Sequence, residues 1–377
     1  SINLNINRED LEIEITADAY ENLNIENNDR YEYVYPSLSV LKEIGNFESG
    51  NLTLKSTGTN KQFNTNVHEK TLINDLSYES YNKINSKGLI GKYEILFKNF
   101  NSKSSGASIY KNKGENNLQS IMNYQIKYPL QKSGGKFLST LTPTMSARYS
   151  PNKSKNKVQE DRDIDIDNIF SINRIGFSDT VEGGQSITIG NEYALFDNKD
   201  TSKKILSVNL ATSIRDVENH KMPVKSTLGK KNSDIFGGIE FNTNEFIDFD
   251  YNFSLDNNLQ TINSNQIKST LNFNNFVSTF DFLERNNIAD GNSYISNSSK
   301  LTINESSSFS FKTRINKEKD LTEYYNLIYE YRNDCLVAGI EYKKDYYSDG
   351  SLKPDEQLFF SVTIMPFGKV NTPDIKQ

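Results

Sequence analysis

Phe246 to Leu255 reads FIDFDYNFSL, and in it Ile247, Phe249, Tyr251, Phe253 and Leu255 alternate with Asp248, Asp250, Asn252 and Ser254. A two-residue period puts successive side chains on opposite faces of an extended chain, so one face of this segment is oily and the other wet. Ser308 to Asn316 repeats the pattern, with Phe309, Phe311, Thr313 and Ile315 opposed to Ser310, Lys312, Arg314 and Asn316. From Tyr325, residues Leu327, Tyr329 and Tyr331 share a face opposed to Asn326, Ile328 and Glu330. Charges of both signs facing one way at several strands suit a hydrated lumen better than the packed space between two sandwich sheets. The chain therefore reads as all-β, an antiparallel transmembrane β-barrel.

Working outward, tight turns fall at Asn244-Glu245, Asn274-Asn275, Asn304-Glu305 and Asn333-Asp334, with longer connections at 257–261, 287–292, 317–321 and 346–356. This is the spacing of hairpins. Transmembrane barrels have short periplasmic turns and longer outer loops, so the Asn turns are expected on the periplasmic side. Extending the register backwards predicts strands near 10–20, 31–42, 50–58, 68–82, 88–100, 117–129, 136–149, 185–196, 204–215 and 233–243. Pro36 weakens the second of these, because proline cannot donate to a ladder. The tally is roughly 17 to 19 strands. The stretch from Pro151 to Gly184 is the longest connection and is expected to be an outer loop.

Composition agrees. The 377 residues show no linker and no shift of composition, so one architecture is expected over 1–377. Apolar runs are far shorter than the roughly 18 residues of a spanning helix, so entry into a membrane would be by strands. With 22 Phe, 21 Tyr and no Trp, tyrosine would have to supply the interfacial belts. A net charge of −6 argues against a nucleic-acid partner. One Cys and two His cannot build a Cys/His zinc cluster, and a Cys–His nucleophile pair would need His68 or His220 to meet Cys335 by chance. No catalytic residue, cofactor or metal is expected. Because Ser1 opens directly on alternating residues, a signal peptide and an N-terminal portion are expected outside this chain.

Three segments carry a family resemblance: LTPTMSARYSPN (Leu141 to Asn152), NIFSINRIGFSDTVEGGQSITIGNEYALFD (Asn168 to Asp197) and LIYEYRNDCLVAGIEYKKDYYSDGSLKPDEQLFFSVTIMPFG (Leu327 to Gly368). In order and distance they resemble the lipopolysaccharide-assembly LptD family, closely over about 141–368 and by general strand character before that. The resemblance implies the C-terminal part of a barrel of about 26 strands, with the periplasmic lipid-accepting N-terminal domain absent. It further implies a lipoprotein plug, LptE, periplasmic Lpt bridge components as partners, and lipopolysaccharide as the cargo. The place would be the outer membrane of a Gram-negative bacterium.

Cys335 reads either as a small strand residue or, by the resemblance and the turn rule, as one half of a disulfide to the absent domain. The family carries paired cysteines there, whereas this chain has one. Asp161, Asp163, Asp165 and Asp167 do not make a calcium loop, since Ile166 stands where the loop needs Gly and Ile172 where it needs a closing Glu; a solvated loop is expected. Asp248 and Asp250 look like lumen lining rather than a glycosidase pair. Asn173, Arg174, Asp179 and Glu182 are candidates to brace the long loop against the lumen. By the resemblance, Gln357 to Phe367 is the last strand and borders a lateral seam, with Phe360, Val362 and Ile364 on one face and Pro366 removing a ladder donor. The expected activity is passive: a polar lumen and a lateral seam that pass lipopolysaccharide into the outer leaflet. A porin or receptor passing small solutes, and a soluble β-sandwich or adhesin array, are the competing readings.

Overall fold

The structure is a computed structural model that describes residues 1–23, 28–64, 66–106, 110–242, 246–286, 293–346, 354–364, 368–371 and 375–376. Among the described residues the chain is built from antiparallel strands, with a single 3-10 turn at Asn28–Arg30. Nineteen strands have seven or more residues and four are shorter. No described helix is long and apolar enough to cross a membrane. The described residues fall into two compact units, 1–131 with 140–192 and 210–236, and 132–139 with 193–209 and 237–377.

The second unit holds the segment that decides the fold. Ile247–Leu255 pairs with Ile262–Phe273, and the meander continues through Phe276–Arg285, Tyr294–Asn304, Ser307–Asn316, Leu321–Arg332, Leu336–Asp345 and Asp355–Ile364. Its register turns sequence alternation into continuous rows. Phe273, Phe276, Leu301, Phe309, Tyr329, Ile340 and Phe360 are successive cross-strand partners, an unbroken apolar row across seven strands. On the opposite face, Asp250, Lys268, Asp281, Ser296 and Arg314 form a row in which charge alternates in sign. Opposite charges directly across a strand pair each contribute roughly 0.2–1 kcal/mol, so the polar face is self-consistent as well as wettable. The hairpin turns lie where the Asn signals put them, between Phe273 and Phe276, Asn304 and Ser307, and Arg332 and Leu336, and Asn274 takes a positive φ of 46° that Asn tolerates. The Asn244-Glu245 turn and the 287–292 loop lie outside the described residues.

In the first unit the expected segments appear as Leu11–Glu21, Tyr31–Phe47, Gly50–Phe63, Val67–Ser80, Ile90–Ser105, Glu115–Lys127 and, from residue 140 on, Phe137–Ser150. Ile2–Arg8 adds a strand before them, paired with Leu11–Glu21. Pro36 does not end its strand. The ladder skips from Val34 to Ser37 and resumes, as a bulge around a residue without an N–H would.

The core of this unit is not between sheets. Ile164, Ile169, Ile175, Met222 and Leu228, from the segments 151–183 and 216–234, cluster with Ala211 and Phe236 of the strands Lys204–Arg215 and Ile235–Asn242. A second cluster joins Val181 and Ile172 to Leu96 and Ile121. The stretch 151–183 is therefore not the simple solvated loop expected. Its alternating Asp residues stay at least partly exposed, but Ile164 between them is buried and Asp165 accepts the backbone N–H of Asp167 and Asn168 to close a turn. The isoleucines drive this, because a segment with that much apolar surface gains by burying it.

Candidate functional site

Arg174 is the centre of the first unit. Its side chain is fully buried, which a guanidinium tolerates only if its five N–H groups find acceptors. They do. Nε and Nη2 donate to the two Glu182 oxygens at 2.7 and 2.6 Å, a bidentate fork. Nη1 donates to the hydroxyls of Thr188 (2.9 Å) and Ser213 (3.0 Å), and Nη2 also to Ser186 (3.0 Å). Ser186 and Thr188 lie on Gly184–Asp197 and Ser213 on Lys204–Arg215, so the long segment is pinned to strand hydroxyls.

Arg215 approaches the same carboxylate from the strand side, Nη1 donating to Glu182 Oε1 at 2.5 Å and Nη2 to the carbonyl of Gly183. Burial alone would push the Glu182 carboxyl up. The charge and hydrogen bonds of Arg174, then the charges of Arg148 and Arg215, outweigh it and hold the group at about 2. Arg148 is buried beside them with one bond, Nη2 to the carbonyl of Ser171, while its Nε and Nη1 have no partner among the described residues. Three guanidiniums thus gather about one carboxylate.

Asp179 is placed apart from Arg174. It sits 3.1 Å from Lys157 Nζ and 3.8 Å from Lys155 Nζ, and these lysines lie over the rings of Phe177 and Phe100. Burial lowers Lys155 despite Asp179, and burial with the Asp179 charge pushes Tyr110 up to about 12. The side-chain oxygen of Asn173 is buried without a described partner. Of the four brace candidates the structure thus joins Arg174 to Glu182, sets Asp179 in a second ion-pair cluster, and leaves Asn173 outside both.

Sequence reasoning missed Arg215, Arg148 and the second packed segment 216–234. A signal was present: the strands under the packed segments carry Ser186, Thr188 and Gly190, and Ala211 and Ser213, at every second position. A Cβ on Gly190 would stand 2.8 Å from the Phe170 ring, so this row is small because something lies on it.

In the second unit, Phe360, Val362 and Ile364 share the exposed face of Asp355–Ile364. That strand is described over Asp355–Ile364, the expected continuation to Phe367 lies outside the described residues, and two short strands follow it in the sheet. Besides Leu336–Asp345, it pairs antiparallel with the short strands Gly368–Asn371 and Ile375–Lys376. Pro366 lies outside the described residues. Cys335 is exposed in the turn before Leu336, its N–H donating to Asn333 Oδ1 at 3.0 Å; it precedes the strand rather than occupying a register position in it. Among the described residues no group of three His, Cys, Asp or Glu could hold a metal ion.

A face of apolar rows backed by a face of charged rows, in an antiparallel meander, defines the class: a transmembrane β-barrel of outer-membrane type. The model of the family LptD, LPS transport system D, matches residues 1–318, and the chain belongs to that family, which is a transport family. No curated protein matches the chain. Among solved structures it is similar to the siderophore receptor PirA from Acinetobacter baumannii, at 7% identity and a TM-score of 0.45, over 94% of this chain and 69% of that one. The ferric preacinetobactin receptor BauA from the same organism is similar at 11% identity and a TM-score of 0.43, over 94% and 68%. The copper transporter OprC gives 8% identity and a TM-score of 0.37, over 93% and 66%.

Proposed function

We propose that this chain is barrel wall of an outer-membrane translocon that delivers lipopolysaccharide to the outer leaflet. The observation that carries the reading is the family match over residues 1–318, and the division of labour between the faces supports it. The charged rows would line a wet passage for the sugars, and the apolar rows would meet acyl chains. The segments 151–183 and 216–234, pinned by Arg174, Glu182 and Arg215, would stand in that passage as an ordered obstruction at the outer end. Phe360, Val362 and Ile364 would border the side exit. Cys335 would be oxidised to a cysteine of the periplasmic domain, and a lipoprotein of the LptE kind would occupy the lumen. Energy would come from periplasmic partners, since the chain has no phosphate-cradling glycine loop.

The test is purification of the full-length protein from its own membrane in mild detergent. Stoichiometric recovery of a small lipoprotein together with lipopolysaccharide is the expected result. A barrel that purifies alone and passes small solutes through an open pore would replace this reading with the porin one.

A further inference from the structure

Arg148 is the guanidinium of the buried cluster that Glu182 does not bond. It stands on Phe137–Ser150, is 3% exposed, and gives the protein a single hydrogen bond, from Nη2 to the carbonyl of Ser171. Its Nε and Nη1 are buried without a partner among the described residues. A guanidinium has two edges that each offer a pair of parallel N–H groups, Nε with Nη2 and Nη1 with Nη2, and each edge uses a different Nη2 hydrogen. The Ser171 carbonyl takes one of these hydrogens, so one whole edge of Arg148 is unengaged. The carboxylates nearby are taken. Glu182 is held by Arg174 and Arg215. Glu94, in the cross-strand row Glu94, Asn123, Arg148, accepts from Asn123 Nδ2 at 2.9 Å and has Lys92 Nζ at 3.4 Å, while Ser146 fixes Asn123 by donating to its Oδ1.

Buried charge is kept where a partner compensates it, and here three guanidiniums less one carboxylate leave two positive charges over. Two parallel donors match two oxygens of one group, and a spherical halide has no second atom to place. A phosphate group, at about −1.5 to −2 near pH 7, answers the surplus better than a singly charged carboxylate. Nε and Nη1 being out of solvent, an anion reaches them only as 151–183, whose Ser171 lies on the arginine, moves off the sheet. We propose that Arg148 is a binding residue for a phosphate-class oxyanion, covered by 151–183 at rest, and that the bound oxyanion favours the lifted segment over the seated one. The phosphate is either the free ion or part of the acidic headgroup of a lipopolysaccharide, and only the second source rests on the transport reading above.

Hydrogen exchange of 151–183 is followed in the full-length protein in mild detergent, in sodium phosphate and in sodium chloride of equal ionic strength. It is then followed with a phosphate-bearing lipopolysaccharide and with the same lipid after dephosphorylation. A ligand that binds only the lifted form raises its population with concentration, so at about ten times the dissociation constant exchange should quicken about tenfold in phosphate and not in chloride. Phosphate as a bulk solute strengthens packing, so a quickening is not a general salt effect. Arg148→Met should abolish the response. Arg148→Lys keeps the charge but not the two-donor edge, and should lose most of the response while migrating as a folded barrel. No quickening in phosphate or with either lipid, an equal effect of chloride, or a response that persists in Arg148→Met overturns the site. A full response in Arg148→Lys overturns the oxyanion assignment. Quickening by phosphate and by the phosphate-bearing lipid, but not by its dephosphorylated form, upholds the site with the lipid headgroup as its source; quickening by phosphate alone upholds it for the free ion. Failure of the site in a protein that still co-purifies with lipopolysaccharide leaves the transport reading standing.

Discussion

Replacing Arg174 by methionine should release the segment 151–183 from the strands beneath it. Arg174 supplies the bidentate half of the grip on Glu182, at 2.7 and 2.6 Å, and both side chains are almost wholly out of solvent. Removing one partner of a buried pair costs about 3–5 kcal/mol, because the other charge stays buried with too little compensation. Arg215 still reaches Glu182, which places the expectation at the lower end of that range. The hydroxyls left behind add little, since Thr188 and Ser213 already lie 3.3 Å apart and can bond each other. The assay is trypsin cleavage at Lys153, Lys155, Lys157 and Arg162 in detergent-solubilised protein. When opening is fast relative to cleavage, the rate follows the open population, and 3 kcal/mol is more than about a hundredfold. Arg332→Met is the control: its pair with Glu330 is 3.7 Å long and its side chain 64% exposed, so it should change the rate little. Cleavage of Arg174→Met within about threefold of wild type would refute the argument that this network holds the segment down.

Acid should loosen the same segment. The Glu182 carboxyl is lowered from 4.5 to about 2, so its contribution is complete above about pH 4.5 and is lost as pH falls toward 2; on the order of 3 kcal/mol is at stake. Trypsin being inactive there, pepsin cleavage and hydrogen exchange of 151–183 between pH 5 and pH 2 are the measurements, and exchange that stays flat across that window would contradict it. Arg in place of Leu327, which shares an apolar cross-strand pair with Phe311, should destabilise the membrane-inserted barrel by about 2–4 kcal/mol if the site lies near the bilayer midplane; a neutral effect in urea titrations from bilayers would count against burial in lipid. Cys335 should resist thiol labelling under denaturing, non-reducing conditions in the mature full-length protein, and label fully in this chain alone, where no second cysteine exists; full labelling in both sinks the tether.

Where strands alternate cleanly the fold was legible, since FIDFDYNFSL leaves little else to do with five apolar side chains on one face. The seven-strand apolar row of the second unit follows from that alternation plus the short Asn turns, which leave register almost no freedom. The ends were harder. Ile2–Arg8 was legible, since Ile2, Leu4 and Ile6 alternate with Asn3, Asn5 and Asn7, but the expected list began after it, and the short strands Gly368–Asn371 and Ile375–Lys376 that pair with Asp355–Ile364 carry too few residues to show a period.

The site was half legible, for a physical reason. Arg174 and Glu182 are eight residues apart in one segment, so local sequence could nominate both; Arg215 and Arg148 lie on separate strands, and only the register of the sheet brings them to the same carboxylate. The strands nevertheless hold the complementary half of the information. In the second unit, where no described segment covers the polar face, the strands carry their own charges, Asp250 against Lys268 against Asp281. Under 151–183 and 216–234 the strands carry the small or hydroxyl residues Ser186, Thr188, Gly190 and Ser213 together with the cations Arg148 and Arg215, and the segment above brings Arg174 and the carboxylate of Glu182. A hydroxyl row can accept the N–H groups of an incoming guanidinium while leaving room for it, which a row of long charged side chains cannot do. Small and hydroxyl positions repeating at a period of two on Gly184–Asp197 therefore mark where a segment of the chain packs onto the sheet.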